Sequence, residues 1–190
     1  MSYRDLKSYQ QAKIIYDFTV EFCDQYIDKK SRTHDQMTQA ARSGKQNIVE
    51  GSSEKTSKKS ELKLLGIARG SFQELLEDYE DFLRQKRLRQ WDKDEPEAIK
   101  VRNLYRTDRT DRTDRTDRTN GIYWSYLSEP EKAANCVICL INQVNFLLDR
   151  QIKVLEEKFI KEGGWSEEMR RKREEEKKRI IVNNFWRRQY

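Results

Sequence analysis

The chain has 190 residues, of which 38% are charged and 35% hydrophobic, and its net charge is +6. This length provides one domain with appended segments, and no run of residues reaches the roughly eighteen apolar positions of a membrane span. The first residues lack the apolar segment of a secretory signal, and three cysteines, an odd number, argue against a disulfide framework. We therefore expect a cytoplasmic protein that does not enter a membrane.

The first half of the chain predicts three amphipathic helices, over about residues 10–29, 33–51 and 58–88. Apolar or small residues recur at helical spacing in each of them: Ile15, Phe18, Phe22 and Tyr26 in the first, Met37, Ala41, Gly44, Ile48 and Gly51 in the second, and Leu65, Ala68, Phe72, Leu75, Tyr79 and Phe82 in the third. Each helix therefore has one face to bury, and the short connections favour antiparallel neighbours.

Local signals predict how these helices begin and where they pack closely. Thr33, with Gln36 three residues later, has the spacing of a capping box for the second helix, and Ser57 is the predicted N-cap of the third. Gly70 lies inside the third helix, where the lack of a side chain would let a neighbouring helix approach.

The second and third helices carry motifs by which the chain resembles a known family. These motifs are Gln39–Ser43 and Asn47–Gly51, followed by Glu61, Ile67–Ser71 and Glu74–Leu75. In this order they resemble the signature of the four-helix bundle proteins first noticed in intervening sequences of bacterial 23S ribosomal RNA genes. That family includes the accessory variability determinant proteins of diversity-generating retroelements.

The resemblance covers about residues 17–83, with a looser likeness in a helix after Ser128, and the tail resembles the suffix of one subgroup. It implies an up-and-down antiparallel four-helix bundle that assembles into a homopentamer. In the retroelement members a basic surface binds nucleic acid and a reverse transcriptase, and Arg42 and Lys45 match positions of that surface. We therefore predict an all-α protein with a four-helix bundle over residues 1–162 and a basic helical suffix over 163–190.

The region between the third and last long helices is irregular in composition. A short helix is predicted over residues 94–105, and an Arg-Thr-Asp triplet then repeats through 106–120 without an apolar residue. This insertion cannot bury surface to offset the entropy of ordering it, so we expect disorder or a mobile helix. Ser128 is the predicted N-cap of the last long helix, with Pro130 in its first turn.

The last long helix carries two apolar stripes. One continues the bundle core, and the other repeats every seven residues. We name this second set the heptad stripe: Ala133, Leu140, Leu147 and Val154. A second stripe must be covered by something besides the partners of the first, so we interpret it as an oligomer interface. The alternative is a helix deeply buried in its own bundle.

No constellation of residues indicates catalysis. Cys136 and Cys139 form a C-x-x-C pair in mid-helix among apolar residues, which is typical of buried thiols. His34 is the only histidine in the sequence and supports neither a catalytic triad nor a multi-histidine metal site. We interpret the acidic run of Glu77–Asp81 as a solvated face. The sequence therefore predicts no enzyme, no metal and no cofactor.

The basic tail is the strongest functional signal, with nine basic and five acidic residues from Ser166 to Tyr190. Ser166 is the predicted N-cap of a charged helix over residues 167–179, and Trp186 and Tyr190 could stack on unpaired bases. The basic residues that we predict to contact nucleic acid here are Arg170, Arg171, Lys172, Arg173, Lys177, Lys178, Arg179, Arg187 and Arg188. The alternative is a scaffold whose suffix docks on neighbouring subunits or on a protein partner.

Overall fold

A computed structural model of the chain describes residues 2–53, 57–107, 122–163 and 165–187. The α-helices in these ranges are α1 (Lys7–Tyr26), α2 (Arg32–Gly51), α3 (Lys58–Lys86), α4 (Pro96–Thr107), α5 (Pro130–Glu162) and α6 (Trp165–Arg187). Single 3-10 turns lie at Tyr3–Asp5 and Ser125–Ser128. The described ranges contain no strand, so the prediction of an all-α fold is confirmed. No described helix is both long enough and apolar enough to cross a membrane.

The long helices α1, α2, α3 and α5 pack side by side in a closed ring. Gly51 of α2 lies against Leu64 of α3, whereas Gly44 lies against Phe72, so these two helices are antiparallel. The other neighbouring helices are also antiparallel. Between α1 and α2, Cys23 lies near Met37 and Tyr16 near Lys45, and between α1 and α5, Ser8 lies near Gln151 and Gln11 near Gln143. Between α3 and α5, Glu61 lies near Lys158 and Arg69 near Asp149. These contacts have the arrangement of an up-and-down four-helix bundle.

The predicted apolar faces meet in the core of this ring, where Phe22 and Tyr79 pack with ring centres 4.8 Å apart. Gly44 is required at a close contact, because a Cβ atom there would lie 2.6 Å from the Phe72 ring. At Gly70 a Cβ atom would meet nothing within 4 Å. The prediction that Gly70 admits a neighbouring helix is therefore wrong within this chain, and Gly44 has that role.

Helix ends follow the predictions in part. The Ser57 hydroxyl accepts a hydrogen bond from the Ser60 N–H at 3.2 Å, which confirms this N-cap. The N-cap of α2 is Ser31 and not Thr33, because the helix begins two residues earlier than the predicted capping box and Ser31 accepts from the Thr33 N–H. Gly163 ends α5 with φ 73°, a backbone conformation that glycine adopts without a Cβ penalty.

Two further cap predictions are wrong. The Ser128 hydroxyl donates to the Ser125 carbonyl at 3.1 Å within the preceding 3-10 turn, and Glu129 takes the N-cap position of α5. Ser166 lies inside α6, because that helix already begins at Trp165. Pro130 does occupy the first turn of α5, as predicted.

α4 packs along the first half of α5, outside the ring. The Gln143 side chain donates to the Arg102 carbonyl at 3.1 Å. Asn135, which is buried in α5, accepts from the Trp91 N–H at 2.7 Å and donates to the Arg89 carbonyl at 2.8 Å. These bonds hold the connection between α3 and α4 against α5.

Some predictions fall outside the described residues. Of the triplet insertion over 106–120, the structure describes only the first two residues, which end α4. Arg188 and Tyr190 also lie outside the described range. The division of the chain into a bundle and a suffix stays a prediction, although α5 ends at Glu162 and α6 begins at Trp165.

Candidate nucleic-acid interface

α6 presents one basic face. Arg170, Arg173 and Lys177 follow one another at spacings of three and four residues, which places them on the same side of the helix. All three side chains are exposed, and in the described part of the chain none of them forms an ion pair. We call this set the suffix face. Glu174 lies at its edge, four residues after Arg170.

The other side of α6 is closer to charge balance. Arg171 lies 4.0 Å from Glu175, and Arg179 lies 3.8 Å from Glu176. Both pairs are largely exposed, so each contributes at most about 1 kcal/mol to stability. Two of the predicted contact residues, Arg171 and Arg179, are therefore paired with carboxylates, whereas the three cations of the suffix face are available to bind phosphate.

The remaining predicted residues of the suffix differ in how far the structure describes them. Lys172 and Lys178 are exposed on α6. Arg187 is the last residue of that helix, and its side chain lies outside the described parts, as does the whole of Arg188.

A second basic group lies where α1 and α2 meet. The Lys45 ammonium lies 3.8 Å from the centre of the Tyr16 ring, a cation–π contact. Burial lowers the pKa of Lys45, Asp17 opposes this shift, and the nearby charges of Arg42 and Lys13 lower the pKa further. We call Lys13, Arg42 and Lys45 the α1–α2 cluster.

Sequence reasoning selected Arg42 and Lys45 through the family resemblance but missed Lys13 and Tyr16. Both missed residues lie on α1, away from the apolar face that defined this helix. A helical wheel of α1 shows that they share a side, but it does not show which residues of α2 face them. The structure brings this one group together, and it places the suffix residues on a separate helix.

The heptad stripe divides in the middle of α5. Ala133 and Leu140 are 0% exposed, Leu147 is half-buried and Val154 is 51% exposed. The first two are covered by the chain itself, which is the alternative interpretation of the stripe. Only Leu147 and Val154 offer surface to another molecule, and for them an oligomer interface stays a prediction.

The cysteine pair has the environment of structural thiols. Cys136 is buried, and burial raises its pKa well above the ordinary value. Burial also raises the pKa of Cys139 to about 11. Because thiolates are the reactive form, both groups are poor nucleophiles at neutral pH. Within the described ranges, no group of three or more metal-ligating side chains could hold an ion.

Fold and surface together define an all-α helical-bundle protein with an exposed basic face on α6 and a partly buried basic cluster between α1 and α2. A sequence profile of the 23S rRNA-intervening sequence protein family matches residues 4–99, which is 96 of the 190 residues. The chain therefore belongs to the 23S rRNA-intervening sequence protein family, as its second and third helices indicate. The match spans α1, α2, α3 and the start of α4. The description of this family names no enzymatic activity. A search of curated proteins and a search of solved structures each found no match.

Proposed function

We propose that the protein is a non-catalytic nucleic-acid-binding protein. The observation that supports this most directly is the suffix face, in which Arg170, Arg173 and Lys177 are exposed, aligned and without carboxylate partners in the described structure. Phosphates neutralised by such cations release counterions, which favours binding at low salt. By its resemblance to the retroelement proteins, the chain would serve as an accessory to a nucleoprotein enzyme such as a reverse transcriptase.

The dimensions of the suffix face suit a phosphate backbone. Arg170 and Lys177 are seven positions apart in the sequence, so the face extends about 10 Å along the helix axis. Neighbouring phosphates of one strand in a duplex follow about every 3.4 Å along the axis, so the three cations can reach several phosphates of one strand. Guanidinium groups add bidentate hydrogen bonds to phosphate oxygens.

The α1–α2 cluster supports the same function by a different argument. Three cations near one another repel, and the lowered pKa of Lys45 reports that repulsion in addition to burial. A bound phosphate would relieve it, because an opposite charge nearby favours the protonated amine. We therefore include Lys13 with Arg42 and Lys45 as a second contact region.

The test compares two sets of three substitutions that remove equal charge from opposite sides of α6. The first set is Arg170→Gln, Arg173→Gln and Lys177→Gln. The control set is Arg171→Gln, Lys172→Gln and Arg179→Gln. Fluorescence anisotropy with a labelled single-stranded RNA, over a series of salt concentrations, measures affinity and its salt dependence.

We expect the suffix-face variant to bind more weakly and its salt slope to fall by about 2, since each lost phosphate contact removes roughly 0.7 for a single strand. The control should lose less, because two of its cations already pair with glutamates. Equal losses in the two variants would remove the suffix face from the site. The proposed function would be overturned if the unaltered chain did not bind the RNA, or if its affinity did not change with salt concentration.

A second candidate function is a homo-oligomeric scaffold, and exposed apolar side chains favour it. Phe146, at the middle of α5, is 61% exposed, and Ile160, near the end of the same helix, is 81% exposed. Ile180 and Ile181 are also exposed on α6. Exposed apolar side chains that adjoin one another in a large patch mark interaction sites. We propose that a second copy of the chain covers them.

Light scattering coupled to size-exclusion chromatography tests the scaffold. We expect an oligomer that Phe146→Ser with Val154→Ser dissociates, while the exposed polar substitution Lys153→Ser has no effect. Removal of residues 166–190 then separates the two surfaces, because an oligomer that persists places the contact on α5 and not on the suffix. A monomer of the unaltered chain at high concentration would contradict self-association.

A further inference from the structure

A pocket of about 430 Å³ lies between α4, the Ser125–Ser128 turn and the first turn of α5. Its volume falls within the range of roughly 300 to 1,000 Å³ that is common for small-molecule sites. The lining combines two aromatic residues, Trp91 and Tyr126, with two lysines, Lys100 and Lys132. Neither the suffix face nor the α1–α2 cluster contributes to it.

The walls of this pocket are held by partly buried hydrogen bonds. The backbone of Trp91 donates to the buried Asn135, which also holds the Arg89 carbonyl. On the opposite wall, the Tyr26 hydroxyl donates to the Leu127 carbonyl, next to Tyr126. A pocket whose walls are already ordered loses little conformational entropy when a ligand enters.

The aromatic side chains give the pocket an apolar interior with flat surfaces. Trp91 and Tyr126 are both half-buried and pack against the bundle core, and Leu104 lies in the same lining. Burial raises the pKa of Tyr126, with smaller contributions from nearby thiols and from Glu97, so the phenol stays protonated and can donate a hydrogen bond. Rings held in this way can stack on a nucleic-acid base of any type.

The charged residues of the lining are exposed on α4 and α5. Lys100 forms no ion pair in the described structure, and Lys132 lies 2.7 Å from Glu129 in a half-exposed pair that a phosphate can displace. Glu97 contributes a carboxylate to the same lining. The site thus offers two cations for a phosphate and one acceptor for an exocyclic amine of a base.

We propose that this pocket binds one unpaired nucleotide, with its base against Trp91 and Tyr126 and its phosphate at Lys100 and Lys132. The proposal rests on the proposed function, because it names an unpaired base of a bound strand as the occupant. A free nucleotide has the same chemistry and would occupy the same site. The exocyclic amine of adenine or cytosine can donate a hydrogen bond to the Glu97 carboxylate, whereas uracil has no such amine. The pocket therefore favours adenine and cytosine over uracil.

Ligand-observed NMR titration of the full chain with adenosine 5′-monophosphate, adenosine and uridine 5′-monophosphate tests this. We expect saturable binding of adenosine monophosphate and weaker binding of the other two. Lys100→Gln with Lys132→Gln should weaken adenosine monophosphate to the level of adenosine and leave adenosine itself unchanged. Glu97→Gln should reduce the preference over uridine monophosphate.

The aromatic contact has a matched control in a second tryptophan. Trp124 packs against Phe18, with ring centres 5.3 Å apart, and does not line the pocket. We expect Trp91→Leu to weaken adenosine monophosphate about tenfold or more, the range of one lost stacking contact, and Trp124→Leu to leave binding unchanged. Thermal unfolding of both variants separates lost binding from lost folding, and Tyr126→Leu repeats the test on the opposite wall.

The same titrations, run beside the anisotropy experiment, distinguish this proposal from the proposed function. If single-stranded RNA binds through the suffix face but no nucleotide saturates the pocket, the pocket proposal is overturned and the function stands. Equal weakening by Trp91→Leu and Trp124→Leu would also overturn it. If adenosine monophosphate binds and RNA does not, the pocket is a free-nucleotide site, and both the proposed function and the unpaired base of a strand as its occupant fail.

Discussion

The two halves of α5 carry the same heptad of apolar residues in different surroundings. In the first half, Ala133 and Leu140 are fully buried, and α4 packs along this half of the helix near Gln143. In the second half, Leu147 is half-buried and Val154 is 51% exposed. The repeat does not change along the helix, but the neighbouring elements do.

This difference shows that a second apolar stripe has more than one means of coverage. A single helix must bury one face, and any further apolar face needs another element or another molecule. In this chain other elements of the same chain bury Ala133 and Leu140, whereas Val154 keeps half of its surface exposed. Self-association through the heptad stripe would therefore involve Leu147 and Val154 and not Ala133 or Leu140.

Shortening one stripe residue in each half tests this contrast with the largest expected effect. Leu140→Ala should lower the free energy of unfolding by about 2 to 5 kcal/mol, because it leaves a cavity in a packed site. Val154→Ala, at the equivalent heptad position, should change it by less than about 0.5 kcal/mol. Urea unfolding at low protein concentration measures both.

Protein concentration provides the control for this comparison. A bound second copy stabilises the folded state by mass action, so burial of Val154 in an oligomer would make the cost of Val154→Ala grow with concentration. A large cost at the lowest concentration would instead mean that Val154 is covered within its own chain, contrary to the structure. Equal costs at Leu140 and Val154 in a monomer would remove the contrast altogether.

The sequence was sufficient for the parts of the fold that depend on helical period. The apolar faces of α1, α2 and α3 follow a spacing of three and four residues, and Phe22, Phe72 and Tyr79 are buried as predicted. Family motifs on α2 and α3 led to the correct family. These features lie within single helices or between helices adjacent in sequence.

Features that depend on the path between helices could not be predicted in this way. The choice of Ser31 over Thr33 as N-cap depends on where the chain turns, and the period of the helix carries no information on that. The position of Lys13 beside Lys45 depends on how α1 and α2 face each other. The pocket residue Trp91 lies in a connection that is held by Asn135, 44 residues later.

Two glycines extend the contrast between covered and open positions, with smaller effects. Gly44→Ala should destabilise the fold by about 1 to 3 kcal/mol, because the new methyl group would clash with the buried Phe72 ring. Gly70→Ala should stabilise it by about 0.5 to 1 kcal/mol, since the helix gains a better former and the methyl group has space. Thermal unfolding of both variants measures this difference.

The sign of the Gly70→Ala effect is the informative result. A destabilised variant would mean that something approaches this surface of α3 closely, and a second copy of the chain would be the first to examine by light scattering. Gly66, where a Cβ atom also meets nothing within 4 Å, supplies the matched substitution on the same helix.

The reactivity of Cys139 tests how well α4 shields this thiol, and it has the smallest expected effect. Burial raises the pKa of Cys139 to about 11 and that of Cys23, in the bundle core, to about 12. At pH 8 both thiols are protonated, so alkylation should be slow and should accelerate as the pH rises toward 11. Mass spectrometry of alkylated peptides measures the two rates separately.

Linkage gives the same shifts a consequence for stability. A cysteine in the unfolded chain loses its proton near its ordinary pKa, whereas the folded chain holds it to higher pH, so the unfolded state is favoured as pH increases. For Cys139, the stabilisation that the folded state gains from its protonated thiol is fully present below about pH 9. It is lost as the pH rises through about 11. Urea unfolding at pH 8 and pH 10 should therefore show lower stability at pH 10, and Cys139→Ala should reduce that difference.

The substitution Val101→Ala tests whether α4 opens separately from the four long helices. Val101 is buried on α4, and its truncation should ease the opening of α4 by about 1 kcal/mol, which corresponds to a roughly fivefold faster alkylation of Cys139. Cys23 lies beside Met37 in the core and should react at an unchanged rate, because the ring of long helices stays closed. If both thiols accelerate equally, α4 and the bundle open together. The first half of α5 would then be covered as part of one cooperative core, and α4 would not act as a separable cover.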